Sequence, residues 1–487
     1  MHCPEKCALS DGELSLSYAA LRTGARAMAY RIVQTTRARR APIAVFIDRS
    51  PLSVLAFYAT VYSGNFYVPI DPNLPAARIR QMLETLAPAL ILATPETITA
   101  AHRAADGCPV LEAVLTTGAT DEALLSEIFN QTIDTDPLYA IFTSGSTGTP
   151  KAVLICHRGV IDLVEAFQTA FAFSEDAIFG NQAPFDFDVS TKDLYLALKN
   201  AATVRILSRR LFSSPLALIA ALNESQVNTL IWAVSAMRIL ANLNVFAQAR
   251  PLHLTHVLFS GEVMPIKILN YWRDALPDVC YTNLYGPTEI TCNCTYYTVD
   301  RDFALNEELP IGRAFCNSDV FLLDENDGVG ELCVRGSSLA LGYYNNPEMT
   351  ARAFAPNPRS PAYPERIYRT GDLGRYDADG RLLFCGRRDH QVKHMGHRIE
   401  LSEIERAANA LPVLDAACCL YDTVREKIVL FYQAAEPHDR EIARGLLATL
   451  PKFMLPGRMI ALPLLPQNKN GKIDRVLLRT QYIEKEA

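Results

Sequence analysis

The chain has 487 residues, 49% of them hydrophobic and 21% charged, with a formal net charge of −6. That length exceeds one ordinary core, so two or more domains are expected. Mild acidity leaves no electrostatic footprint for nucleic acid, and no uninterrupted apolar stretch reaches the ~18 residues that a membrane span requires.

The first thirteen residues carry Glu5, Lys6, Asp11 and Glu13 with no apolar run, so the expected location is cytoplasmic, away from any membrane. Leu21, Ala25, Met28 and Ile32 then fall on one helical face, and "IAVFI" at 43–47 reads as a short buried strand. The basic triplet Arg37, Arg39 and Arg40 between them fits a solvated turn. The alternation continues: "PLSVLAFYATVYSG" is helical, "FYVPI" strand-like, "RIRQMLETL" helical and "ALILAT" strand-like. This predicts an α/β fold of doubly wound sheets with crossover helices.

At 141–153, "IFTSGSTGTPKAV" carries a strand out into a loop of glycines and hydroxyls with one lysine. Amides and hydroxyls freed by glycine suit a polyphosphate, although such a loop taken alone also fits a surface linker. A Walker-type loop is excluded, because Pro150 precedes Lys151 and proline disfavours the helical conformation just before itself.

The 12 cysteines are scattered, with Cys333, Cys418 and Cys419 in apolar contexts. Cys3 with Cys7, or Cys292 with Cys294, lacks a second pair at zinc-finger spacing, so neither a disulfide framework nor a structural zinc is expected. A charged loop at 386–400 precedes an amphipathic helix carrying Leu401, Ile404 and Ala408. Domains are therefore expected at 1–388 and 389–487, the second a small α+β unit ending in the polar turn "NKNGKIDR".

Taken together, the loop at 139–153, "YVPIDPNLPAARI" at 67–79, "FDVS" at 187–190, "NLYGPTE" at 283–289, "GELCVRG" at 330–336, "YRTGDL" at 368–373, "GRRDHQVKHMGHRIEL" at 386–401 and "NGKID" at 470–474 form an ordered set. In this the chain resembles the adenylate-forming superfamily, which includes acyl-CoA synthetases, luciferases and the adenylation domains of nonribosomal peptide synthesis. The resemblance spans nearly the whole chain. It implies a large N-terminal domain with a distorted β-barrel subdomain and a small mobile C-terminal lid. The implied reaction is ATP-dependent activation of a carboxylate to an acyl-AMP, with Mg²⁺ as cofactor.

By that resemblance Thr143, Ser144, Gly145, Ser146, Thr147, Gly148 and Lys151 hold the β- and γ-phosphates. Tyr285 stacks on adenine, Asn283 meets its edge beside Gly286, Thr288 bonds the α-phosphate and Glu289 holds Mg²⁺. Asp372 and Arg387 fit the ribose-binding pair, and Lys472 the catalytic lysine that bridges substrate carboxylate and adenylate phosphate.

Asp188 matches the aspartate that pairs with an α-ammonium in the amino-acid-activating branch; a helix-capping role is its alternative. The implied side-chain pocket is Val189, Lys192, Trp232, Leu258, Ser260, Leu284, Cys292 and Asn293, with Gly261 adjoining. Trp232 is expected to take up volume there and favour a small side chain. Val189, Leu258, Ser260 and Leu284 look like a serine-activating pattern, while alanine, cysteine and aspartate stay open, the last because a buried Lys192 needs an acceptor.

Asp389 is the implied hinge, and Lys393 and Gly396 the implied tunnel for the phosphopantetheine arm of a carrier protein acting in trans, as the chain carries no attachment signature of its own. Ala152 stands where the family usually has glycine, an expected brake on loop mobility, and His394 and Met395 also depart from the pattern. An acyl-CoA ligase and a catalytically silent nucleotide-binding protein are the rival readings.

Overall fold

The helical face that begins at Leu21 forms the helix Tyr18–Thr35. Ser17 caps it by accepting from the Ala20 amide, and it buries Leu21, Ala25, Met28 and Ile32. The computed structural model describes every residue except 1, 2, 117, 119, 146–149, 389, 390, 435, 468–472 and 485–487. "IAVFI" lies in the fully buried strand Pro42–Phe46, followed by the helix Pro51–Tyr62, whose first position is a proline with no amide to waste. Pro42–Phe46 pairs in parallel with Phe66–Ile70 on one side and with Leu90–Ala93 on the other. This is the doubly wound arrangement, in which strands covered on both faces read as continuous apolar runs.

Two large sheets carry most of the chain. One has seven strands, with Pro42–Phe46 near its middle and Pro137–Thr143 and Lys151–Cys156 adjacent in it. The other has nine, and its central run Ile178–Asn181, Thr229–Ala233, His256–Ser260 and Cys280–Tyr285 is parallel throughout. Alternation sorts this second sheet onto two cores. Ile231, Leu258 and Leu284 join the larger apolar cluster on one face, whereas Leu230, Trp232, Val257 and Phe259 pack into a separate cluster on the other. A third, antiparallel sheet of five strands, Ser318–Asn326 to Leu382–Arg387, supplies the half-barrel element of this mixed α/β fold.

The chain divides into two compact units. The first comprises Met1–Pro72, Leu86–Ile141 and Ala152–Arg388; the second gathers Asn73–Thr85, Phe142–Lys151 and Asp389–Ala487. Within the second, the strands Ala416–Asp422, Lys427–Gln433 and Arg458–Leu462 form a sheet covered by the amphipathic helices Leu401–Asn409 and Asp439–Leu447. Arg78 and Glu403 form a buried ion pair there, and the Ser144 hydroxyl donates to the Arg398 carbonyl at 2.8 Å.

Arg398 belongs to a hairpin of Gln391–His394 and His397–Glu400, with His394 directly opposite His397. Only Met395 and Gly396 are left to turn the chain, and both are left-handed, with φ of 54° and 81°. A two-residue turn of this kind demands positive φ at both positions, which glycine adopts without cost and methionine does not. Met395→Asn should therefore stabilise the folded state by roughly 0.5–1 kcal/mol and raise the thermal unfolding midpoint; denaturation of the two proteins side by side checks this.

Candidate active site

The strand Cys280–Tyr285 ends with Tyr285 buried, its phenol donating to Asp372 Oδ2 at 2.6 Å. Asp372 sits directly across from Arg387 in the five-stranded sheet, and the Arg387 guanidinium donates to its other carboxylate oxygen. Burial, and then the neighbouring Asp372 charge, push the Tyr285 phenol well above its ordinary pKa, so it stays a neutral donor. Glu289 is wholly buried in the short helix Thr288–Ile290 and accepts from the Tyr343 phenol at 2.8 Å. The Asn283 amide nitrogen is committed to the Pro310 carbonyl at 2.8 Å.

Gly286 follows Tyr285 because nothing larger fits. A Cβ there would lie 2.6 Å from both the Asn293 Cα and the Cys292 carbonyl oxygen. The chain reaches that position through two consecutive left-handed residues, Thr291 and Cys292, with φ of 56° and 77°. The Thr291 hydroxyl anchors the turn on the Ser338 carbonyl at 2.7 Å, and the Cys294 amide returns to the Tyr285 carbonyl at 2.9 Å. Two strained residues at about 1–2 kcal/mol each are held by this anchoring.

Asp188 occupies the position before the helix Val189–Asn200, yet its side chain makes no capping hydrogen bond. Its charge is felt by Tyr139 and Cys292, raising both above their ordinary pKa values after burial has done most of the work. The Cys292 thiol is pushed up to about 12 and stays protonated. One helical turn on from Asp188, Lys192 is wholly buried and donates to Asn293 Oδ1 at 2.7 Å. Ile231, Leu258, Leu284 and Cys292 form part of the apolar cluster against which Val189 packs. Ser260 shares the Leu258 side of its strand by alternation, and its hydroxyl is buried with no hydrogen-bond partner among the described residues. Gly261 has φ of 96°, with no atom near an added Cβ; its glycine answers to backbone conformation.

Trp232 is not in this group. Its indole donates to the Gly180 carbonyl at 2.7 Å, and its ring packs edge-on to Phe212 and Trp272 in the other core. The strand's alternation turns Trp232 away and brings Ile231 to the Leu258 face, so the tryptophan's volume lies in the other core, away from Leu258 and Leu284.

Behind Lys192 a polar floor carries no motif in the sequence. The Arg49 guanidinium donates to the carbonyls of Leu207, Ala183 and Asn181, tying the end of one large sheet to the end of the other. The Asn181 side chain donates to Asp193 at 2.7 Å, and burial raises the Asp193 carboxyl to about 7.

In the second unit, Thr143 ends a strand with its hydroxyl buried and without a hydrogen-bond partner among the described residues, while Ser144 and Gly145 are buried and Lys151 opens the next strand. Ala152 lies fully buried in that strand. Lys393 sits in the hairpin and Gly396 in its turn. Ser146, Thr147, Gly148, Asp389 and Lys472 lie outside the described residues. Among the described residues no group of three or more His, Cys, Asp or Glu could hold a metal, and no helix is long and apolar enough to cross a membrane. A Mg²⁺ ion would find one hard oxygen ligand in Glu289 and the rest on substrate phosphates, the usual pattern for this ion.

The family model for AMP-binding enzyme matches residues 1–344. The chain is 32% identical over 494 residues to a dimodular nonribosomal peptide synthase of Bacillus subtilis, an alignment covering 98% of this chain and 20% of that one. It therefore spans only a fraction of the length of such relatives. Among solved structures it matches holo-PA1221, an NRPS protein containing adenylation and PCP domains, with 26% identity, a TM-score of 0.84, and coverage of 99% and 82% of the two chains. A malonyl-CoA ligase, 23% identical at a TM-score of 0.80 with 95% and 97% coverage, shares the fold.

The Asp193 carboxyl keeps its proton in the folded protein up to about pH 7, whereas in the unfolded chain it loses it near 3.8. Between those values the folded state binds more protons, so this group's contribution to stability falls as pH rises. Asp193→Asn removes that slope; relative to wild type it should gain on the order of 2–4 kcal/mol between pH 4 and pH 8, read from urea midpoints at the two pH values.

Proposed function

The chain belongs to the AMP-binding enzymes of the adenylate-forming superfamily, and from that premise we propose that it activates an amino acid as the aminoacyl-AMP and passes it to the phosphopantetheine thiol of a carrier protein. The observation that carries the amino-acid part is Asp188. Its carboxylate stands at the head of a helix without capping it, beside an apolar wall and one turn from a buried cation. A carboxylate in that setting is suited to an α-ammonium.

The chemistry follows from charge. The substrate carboxylate attacks the α-phosphorus of ATP and pyrophosphate leaves, so two anionic reactants must be held in line. In this reading Tyr285 stacks on adenine and Asn283 offers its amide oxygen to the base edge. Asp372, already fixed by Tyr285 and Arg387, accepts from the ribose hydroxyls. Thr288 bonds the α-phosphate. Mg²⁺ bound at Glu289 would supply charge neutralisation on the phosphates. The Thr143 hydroxyl, buried and without a hydrogen-bond partner among the described residues, donates to a phosphate in this reading. Lys472 bridges carboxylate and phosphate in the transition state. For transfer, the hinge at Asp389 exchanges Lys472 for the hairpin bearing Lys393 and Gly396; the carrier thiol then attacks the acyl carbon and AMP leaves.

Amino-acid-dependent exchange of pyrophosphate into ATP tests this reading. Wild type should exchange with an amino acid, Lys472→Ala should lose about 100-fold or more, and Asp188→Ala should lose the advantage of amine-bearing over amine-free acids. Exchange supported by amine-free acids alone assigns the chain to the CoA-ligase reading, and none with any acid assigns it to a silent nucleotide binder.

A further inference from the structure

We infer that Lys192 selects an amino acid whose side chain ends in a carboxylate, aspartate being the shortest such substrate. The inference rests on the amino-acid reading of Asp188 and goes beyond it to the side chain. Lys192 has no exposed surface, and its ammonium, which has three protons to donate, has the neutral Asn293 oxygen at 2.7 Å and the Cys292 thiol beside it. Among the described residues no carboxylate oxygen lies within 4.0 Å of it. Asp193, the next residue on the helix, accepts from the Asn181 side chain, and burial raises its carboxyl to about 7. A buried cation lacking an anionic partner is costly, and a substrate carboxylate removes that cost.

The geometry matches such a ligand. Asp188 and Lys192 are four residues apart on one helix, hence on the same face and ~5.4–6 Å apart along it. The acid stands at the helix start and the base lies deeper, so a molecule with an ammonium at one end and a carboxylate at the other is complementary to both. The Ser260 hydroxyl, buried on the Leu258 side without a partner among the described residues, is a further buried donor on the face against which Val189 packs. A serine or alanine side chain would leave Lys192 uncompensated.

Asparagine is the discriminating competitor, being nearly isosteric with aspartate but uncharged. Pyrophosphate exchange by the whole chain with both enantiomers of aspartate, and with asparagine, serine and alanine, should favour one aspartate over its asparagine counterpart by about 100-fold or more in kcat/KM. Lys192→Met should reverse that order. Wild-type exchange in which asparagine, serine or alanine equals or exceeds aspartate overturns the inference and leaves the amino-acid reading intact. A folded Lys192→Met that still prefers aspartate overturns it as well. Should that variant fail to fold, the wild-type ratio alone decides. Absence of exchange with every amino acid removes the reading of Asp188, and this inference with it.

Discussion

One close approach organises the site. Gly286 has no side chain, so the backbone of Cys292 and Asn293 can lie against the end of the strand Cys280–Tyr285, at distances that a single Cβ would reduce to 2.6 Å. On one side of that contact Tyr285 meets Asp372, and Arg387 completes the pair from the neighbouring strand. On the other, Asn293 receives the Lys192 ammonium. The Tyr285–Asp372–Arg387 corner and the Lys192–Asn293 contact are thus two sides of one turn, and the strain in Thr291 and Cys292 is the cost of joining them.

Behind the pocket the structure places more charge than a core ordinarily tolerates. Lys192 and Asp193 are wholly enclosed and Arg49 is half-buried, and burial lowers Arg49 to about 10 while raising Asp193 to about 7. Arg49 still keeps its proton at neutral pH and spends its donors on three carbonyls and an amide oxygen from the ends of neighbouring strands. Such a clamp fixes Asn181, Asn181 fixes Asp193, and Asp193 adjoins Lys192 on the helix Val189–Asn200. Hydrogen bonds in series of this kind hold a functional side chain more tightly than packing alone.

Much of this was legible from residue order. Apolar runs bounded by turn residues located the parallel strands, and helical spacing located the crossover helices, because strands buried on both faces and amphipathic helices leave strong periodic signals. The Tyr285, Glu289, Asp372 and Arg387 positions stood in motifs. Trp232 misled for a physical reason: its strand is apolar on both faces, so composition cannot tell which side a residue takes, and only pairing with His256–Ser260 shows that Ile231 and Leu258 face together. Arg49 and Tyr343 carry no local signal at all, since each acts on residues more than fifty positions away. Ala152, which stands where glycine is usual, is a buried core residue of the strand Lys151–Cys156.

The central claim is that this pocket activates a carboxylate whose molecule also bears an amine. Incubation of the whole chain with ATP, Mg²⁺, hydroxylamine and an equimolar mixture of amino acids and amine-free acids would trap the activated acyl group as its hydroxamate, identifiable by mass spectrometry. The account predicts one dominant hydroxamate derived from an amino acid. A hydroxamate from an amine-free acid alone would contradict it.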